Sequence, residues 1–316
     1  MLLQLNQGGA EMPAEPKRGM DHDLYAFSPL PQRETFHWQE GKPLATCVVL
    51  YLDYWELQTP TGFKKPPDVQ GMWGHQFPDL RTYSYRLYGE RIGVFRILEA
   101  LQRHGMRATV AAGSEICLRY PELIQQCIDE GHEIAAHGTH ATRMITSQMS
   151  LADEQAHIRE SVEAVTRLTG KKPLGWFGQY QNESIRTPTV LAEEGIRYVG
   201  DWSNDEQPYW MTAGGGLVSL PLQTELDDMQ VMWMRQRPPW SYPVMVEDAV
   251  NQLVMDGRSN ARTLVLGLRS WLSGRPHHIR YLNEALWSLS RRSDVWFSTA
   301  GEIVQRYSQQ VSRPQS

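Results

Sequence analysis

A chain of 316 residues with 21% charged residues and a formal net charge of −5 can bury one large core, and it lacks the basic stripes that a phosphate backbone requires. Nucleic acid is therefore excluded as a partner. Nowhere do 18 apolar residues follow one another, and the three cysteines form no C-x-x-C pair, so neither a membrane span nor a disulfide or zinc-ribbon framework is expected, and a reducing cytoplasm fits.

The first twenty residues hold too short an apolar run for a secretory signal and read as a loose start; residues 1–43 are set off as an N-terminal extension. "CVVLYL", 47–52, is a continuous β-branched and apolar run, the pattern of a strand buried on both faces, and Asp53 follows it directly. A long loop is expected over 54–89, including "TPTGFKKPPD" and "PDLRTYSYRLYG", as a lid or wall. From there helices and strands alternate. "ERIGVFRILEALQRHG" is helical, with Ile92, Phe95, Leu98 and Leu101 as its apolar stripe. The strand "RATVAA", the helix "YPELIQQCIDEG" and the strand "EIAAH" follow. A helix then opens at Ser150 with Asp153 three residues on, an approximation to a capping box.

"LGWFG" is a strand and "TPTVLAEEG" a helix with Thr187 as N-cap and Pro188 in its first turn. The strands "RYVGD" and "GLVSLPL", the helix "VEDAVNQLVMDG", the strand "TLVLGL", the helix "PHHIRYLNEALWSLSR", the strand "VWFSTA" and the helix "GEIVQRY" complete the chain. Seven to eight parallel strands alternating with helices predict an α/β fold, a distorted (β/α) barrel over 44–308 with a tail at 309–316. An open doubly wound sheet is the rival, but no glycine fingerprint follows the first strand.

Chemistry in such a barrel sits at the carboxyl ends of the strands. That rule selects Asp53 with Glu56, His137, Gln179, Asp201 with Trp202, and Arg269. In "GHEIAAHGTH", His132 reads as an ordinary strand-start residue, whereas His137 is a catalytic candidate and His140 a pocket-rim one. His137 and His140 converge only if the chain turns after Gly138. Eleven tryptophans and thirteen tyrosines, many beside loop residues, suit a pocket for a small, flat ligand. "DWSNDEQPYW" adds Asp205 and Gln207 as polar wall groups, and the lid-like loop offers Tyr85.

These stretches together, above all "VVLYLDYWEL", "GHEIAAHG", "GWFGQYQNESIRTPTVLAEEGIRYVGDWSNDEQPY" and "LSGRPHHIRYLNEAL", resemble the polysaccharide deacetylase superfamily, particularly its allantoinase-like and cyclic-imide-hydrolase-like branch. The resemblance covers residues 44–308 and implies hydrolysis of a carbon–nitrogen bond that is not a peptide bond. It also shows departures. Metal-dependent deacetylases place two adjacent aspartates after the first strand, where this chain has "LDYWE". They use two histidines four apart, where this chain has His137 and Ala141. Phe177 replaces the arginine of the strand-four motif, and Arg269 replaces the catalytic histidine near strand seven.

The expected activity is therefore ring-opening of a small cyclic amide, imide or ureide without a firmly bound metal. Asp53, Glu56 and His137 are expected to be catalytic, and Trp55, Tyr85, His140, Trp202, Asp205, Gln207 and Arg269 to bind substrate. Asp53 or Glu56 would activate water, and His137 would serve as oxyanion donor or acid. The alternatives are a deacetylase of an N-acetylated or carbohydrate-like substrate using a divalent metal such as zinc, held by Asp53 and His137, and a degenerate barrel that only binds. No cofactor is expected on the leading reading. The partner is a small-molecule substrate, with no membrane partner; a homo-oligomer is left open.

Overall fold

The computed structural model describes residues 19–58 and 78–313. The expected loose start and the "TPTGFKKPPD" stretch lie outside these residues.

Strand β1, Leu44–Leu52, is buried at every position, because it is flanked on both edges and covered on both faces. On one side β8, Arg262–Arg269, runs parallel to it from Leu44↔Arg262 to Tyr51↔Arg269. On the other side β2, Thr109–Ala112, pairs with Val49–Leu52, and β9, Val295–Phe297, pairs with Leu44–Thr46. From β2 the sheet continues in parallel through β3, Glu133–Ala136; β4, Gly175–Trp176; β5, Tyr198–Val199; and β7, Val218–Ser219. The last strand, β6, Tyr209–Trp210, runs antiparallel to β7. Among the described residues the sheet thus has eight parallel strands, within the seven to eight expected, plus one antiparallel strand. That ninth strand comes from "DWSNDEQPYW", whose proline and acids read as loop.

The curled sheet leaves β6 and β8 unpaired with each other, and an open edge is a row of unsatisfied amides. Here side chains and a loop fill the seam rung by rung. Thr263 N–H donates to the Glu206 carbonyl at 2.7 Å. The Gln207 amide donates to the Ala261 carbonyl at 2.7 Å, and the Gln223 amide accepts from Val265 N–H at 2.7 Å and donates to the Thr263 carbonyl at 3.2 Å. Asp228 accepts from Arg269 N–H at 2.7 Å. Residues set off in the sequence as an extension also join this base: Trp38 donates to the Arg262 carbonyl at 2.6 Å, and Phe36 and Trp38 are buried.

The expected lid is partly helical. Helix α1, Leu80–Tyr88, starts at Asp79, whose carboxylate accepts from Thr82 N–H, and passes through one π turn, Gly89–Gly93, into α2, Val94–Arg103. A π turn carries an extra residue and breaks the 3.6-residue period. The buried stripe of α2 is Val94, Ile97, Leu98 and Leu101, while Ile92 and Phe95, expected in it, are exposed. Helix α5, Leu151–Thr169, opens as expected, with Ser150 Oγ accepting from Asp153 N–H. No described helix is long and apolar enough to cross a membrane.

The π turn is pressed against α8, Ser270–Ser273: a Cβ on Gly93 would run into the Ser270 carbonyl, and one on Gly89 into Ser270 and Trp271. Gly93→Ala is expected to cost about 1–3 kcal/mol of stability, the usual range for overpacking, read as a lower urea midpoint at unchanged slope. An unchanged midpoint would show that this contact is not tight.

Candidate active site

Parallel pairing through β2 brings the residues that follow β1 and β3 to the same end of the sheet. His137 Nε2 lies 2.9 Å from Asp53 Oδ1, and both side chains are buried. The other ring nitrogen, Nδ1, bonds the carbonyl of Phe177, just beyond β4. The Phe177 carbonyl can only accept, so Nδ1 carries a proton, and Nε2 and Asp53 share another between them. Burial alone would raise the Asp53 pKa, but the charge and hydrogen bond of His137, with Arg269 and Arg86 behind, bring it below the ordinary aspartate value. Gly138 follows at φ +66°, where a Cβ would strike the side chains of Gln179 and His157; the Gln179 amide in turn caps the His137 carbonyl. The chain does bend there, at Thr139.

A narrow pocket is lined by Asp53, Tyr54 and Trp55 after β1, by Tyr83, Leu87 and Glu90 of α1 and the π turn, and by Tyr120. Arg86 is buried, its guanidinium 3.4 Å above the Trp271 ring, 4.7 Å from Trp55 and 5.1 Å from Trp233. Such cation–π contacts hold a charge in place where water does not reach. Glu90, 9% exposed, has the opposite shift from Asp53. Burial pushes its pKa up to about 8, its own backbone N–H opposes this, the Asp53 charge adds to it and Arg86 offsets part.

Of the remaining expected site residues only Trp55 lines this pocket. Glu56 does not face Asp53: its carboxylate takes Arg143 at 2.6 Å and Thr142 at 2.6 Å, and despite burial these bonds hold its pKa below the usual range. His140 lies 3.6 Å from Glu56 with its ring 5.7 Å from Tyr54, and burial lowers its pKa. Tyr85 packs against Trp233 and Trp271 under Arg275. Trp202 packs on Tyr25, with ring centroids 5.4 Å apart. Arg269 is buried and given to two residues the sequence reading missed, Asp227 at 2.6 Å and Asp228 at 3.2 Å. Asp205 pairs with Arg33 at 2.8 Å, and Gln207 binds Ala261, so both lie at the amino end of β8. Eight residues of strand, about 25 Å at the usual rise, separate that end from Arg269. His132 accepts from Ala108 N–H at 2.9 Å, as a strand-start residue.

Among the described residues, two positions where a metal-dependent deacetylase is expected to place ligands hold other residues. Tyr54 stands in the second aspartate's slot. Ala141, in the second histidine's slot, packs against Trp55 and Tyr180, and both nitrogens of His137 are already bonded. Among the described residues no three His, Cys, Asp or Glu side chains gather as a metal site requires. The reading also missed Arg86, Glu90, Tyr83, Leu87 and Tyr120. The signal that could have found Glu90 is "GERIG", two glycines four apart bracketing a Glu–Arg pair.

Residues 89–199 match the family described as "Polysaccharide deacetylase". Over that segment, about a third of its length, the chain is similar to polysaccharide deacetylases. A peptidoglycan deacetylase of Helicobacter pylori is 25% identical over 210 residues, covering 58% of this chain and 70% of that protein. A solved structure described as a probable polysaccharide deacetylase from Pseudomonas aeruginosa PAO1 has a TM-score of 0.78 at 25% identity, over 90% of this chain and 96% of that one. The structure of Puue allantoinase has a TM-score of 0.79 at 23% identity, over 96% and 100% of the two chains, and shares the fold. The barrel fold is thus as expected.

The shift at Glu90 has a sign that stability measurements read. The folded pKa, about 8, lies above the ordinary 4.5, so between these values the unfolded chain releases a proton that the folded chain keeps. Stability is full below the lower value and is lost as pH rises toward the upper one. Glu90→Gln removes this loss: its Tm advantage over the wild type is expected to grow from pH 4.5 to pH 8 and then level off. A difference independent of pH would contradict it.

Proposed function

We propose that the domain opens a small cyclic amide, imide or ureide by hydrolysis, with Asp53 as the base and no firmly bound metal. The observation that carries this reading is the contact between Asp53 and His137 at the edge of the pocket. A carboxylate kept ionised beside a fixed imidazole can accept a proton from water, whereas His137, with both nitrogens engaged, positions Asp53 rather than acting as oxyanion donor or acid. The hydroxyls of Tyr83 and Tyr120 are the donors proposed for the substrate's carbonyls, and Trp55 is the flat wall for its ring. Imide and ureide nitrogens leave more readily than alkyl amines, which suits a site whose family acid, a histidine, is replaced by a neutralised Arg269. The ligand slots taken by Tyr54 and Ala141 support the metal-free form of the reaction.

Purified protein is to be offered succinimide, hydantoin, dihydrouracil, allantoin and N-acetylglucosamine oligomers, each with and without a chelator. Ring-opening of at least one cyclic compound, unaffected by chelator, is expected. Deacetylation of the oligomers that the chelator abolishes would overturn the reading. On the compound turned over, Asp53→Asn is expected to lower kcat by about a hundredfold to ten-thousandfold, the usual worth of a general base. Asp205→Ala, at the far end of β8, is expected to change kcat less than twofold. A loss at Asp205 comparable to that at Asp53 would place the pocket at the wrong end of the barrel.

A further inference from the structure

Hydrolysis of an amide needs a proton on the departing nitrogen as well as a base for water. The position that carries the family's acid is Arg269, whose guanidinium is bound by Asp227 and Asp228 and keeps its protons near neutral pH. A different group must serve. We propose that the Glu90 carboxyl is the proton donor to the leaving nitrogen, an assignment that rests on the hydrolase reading of the same pocket.

Glu90 and Asp53 line the same pocket from different elements, one on the π turn and one after β1, and the Asp53 charge acts on Glu90. The turn that presents Glu90 is fixed against the segment immediately after Arg269, since Gly89 and Gly93 leave no room for a Cβ beside Ser270 and Trp271. The acid is therefore delivered beside the end of β8, but from a different element. Around Glu90 stand Asp53 and Tyr54 from the β1 loop, Tyr83 and Arg86 from α1, and Tyr120. Burial and the Asp53 charge keep the Glu90 carboxyl protonated up to about pH 8, while Asp53 beside His137 stays ionised. Two carboxyls in one pocket whose environments push their protonation apart is the pattern of an acid and a base assigned by surroundings.

The step balances. Water oxygen attacks the carbonyl carbon as Asp53 takes its proton, and the C–N bond breaks as Glu90 gives its proton to nitrogen. The product is a carboxylic acid and an amine or amide nitrogen. Asp53 then returns its proton to solvent and Glu90 regains one.

Two measurements test this. In protein labelled with δ-¹³C glutamate, where burial raises Glu133 and Glu183 as well, a carboxyl titrating near pH 8 is expected that is missing in Glu90→Gln, whether or not a substrate is known. The absence of such a Glu90-dependent titration would overturn the proposal. In pH profiles of kcat/KM on dihydrouracil and succinimide, the wild type is expected to lose activity on an alkaline limb near pH 8. Glu90→Gln is expected to lose that limb and to fall about a hundredfold or more on dihydrouracil, whose nitrogen is the poorer leaving group, and less on succinimide. Unchanged rates and an intact limb in Glu90→Gln, with activity lost in Asp53→Asn, would overturn the role of Glu90 and leave the hydrolase reading standing. Full activity in Asp53→Asn would overturn that reading itself.

Discussion

An imidazole held between two acceptors organises this molecule. His137 bridges Asp53 and the Phe177 carbonyl, so one ring ties the ends of β1, β3 and β4 together. The Phe177 carbonyl can only accept, so the ring is fixed with a proton on Nδ1 and with Nε2 turned to Asp53, whose pKa it helps to lower. Gln179 and Gly138 complete the arrangement, the amide holding the His137 carbonyl and the glycine making room for it. Beyond Gln179, Tyr180 and Gln181 take left-handed backbone at φ 55° and 58°, a strain of the kind that functional sites retain.

The closure of the barrel and the chemistry of the pocket are coupled. Since no strand bridges β8 to β6, Asp228 and Gln223 satisfy the free edge of β8, and Asp227 and Asp228 become the partners of Arg269. An arginine paired in this way through Nη1 still contributes charge to Asp53. The polar groups that line the pocket come from the β1 loop, from α1 with its π turn, and from Tyr120. Arg86, stacked among three tryptophans, supplies the cation that both Asp53 and Glu90 feel.

The order of strands and helices was legible because strands buried on both faces leave continuous apolar runs, and "CVVLYL" and "TLVLGL" have no other good use. Asp53 and His137 were legible for the same reason: the end of an apolar strand is a position that sequence marks sharply. Glu90 was not, since the π turn breaks the helical period and the aromatic, proline-flanked segment before it reads as loop. Arg269 was read as a substrate group because its partners lie about forty residues earlier, in "LDDMQ", and such pairings leave no local pattern. Asp205 and Gln207 were misplaced because they follow a strand end, yet the loop carries them to Arg33 and Ala261. Distance along the chain from a strand end is a poor guide once a loop crosses the sheet.

The account depends on Asp53 being the ionised partner of a doubly protonated His137. Nitrogen-15 NMR of the imidazole rings at neutral pH tests this directly, with His137→Gln used to assign the signal. Two protonated ring nitrogens on His137, one of them losing its proton in Asp53→Asn, is the predicted result. A neutral ring with a bare Nε2 would mean that the proton sits on Asp53, which could then take none from water, and the account would be contradicted.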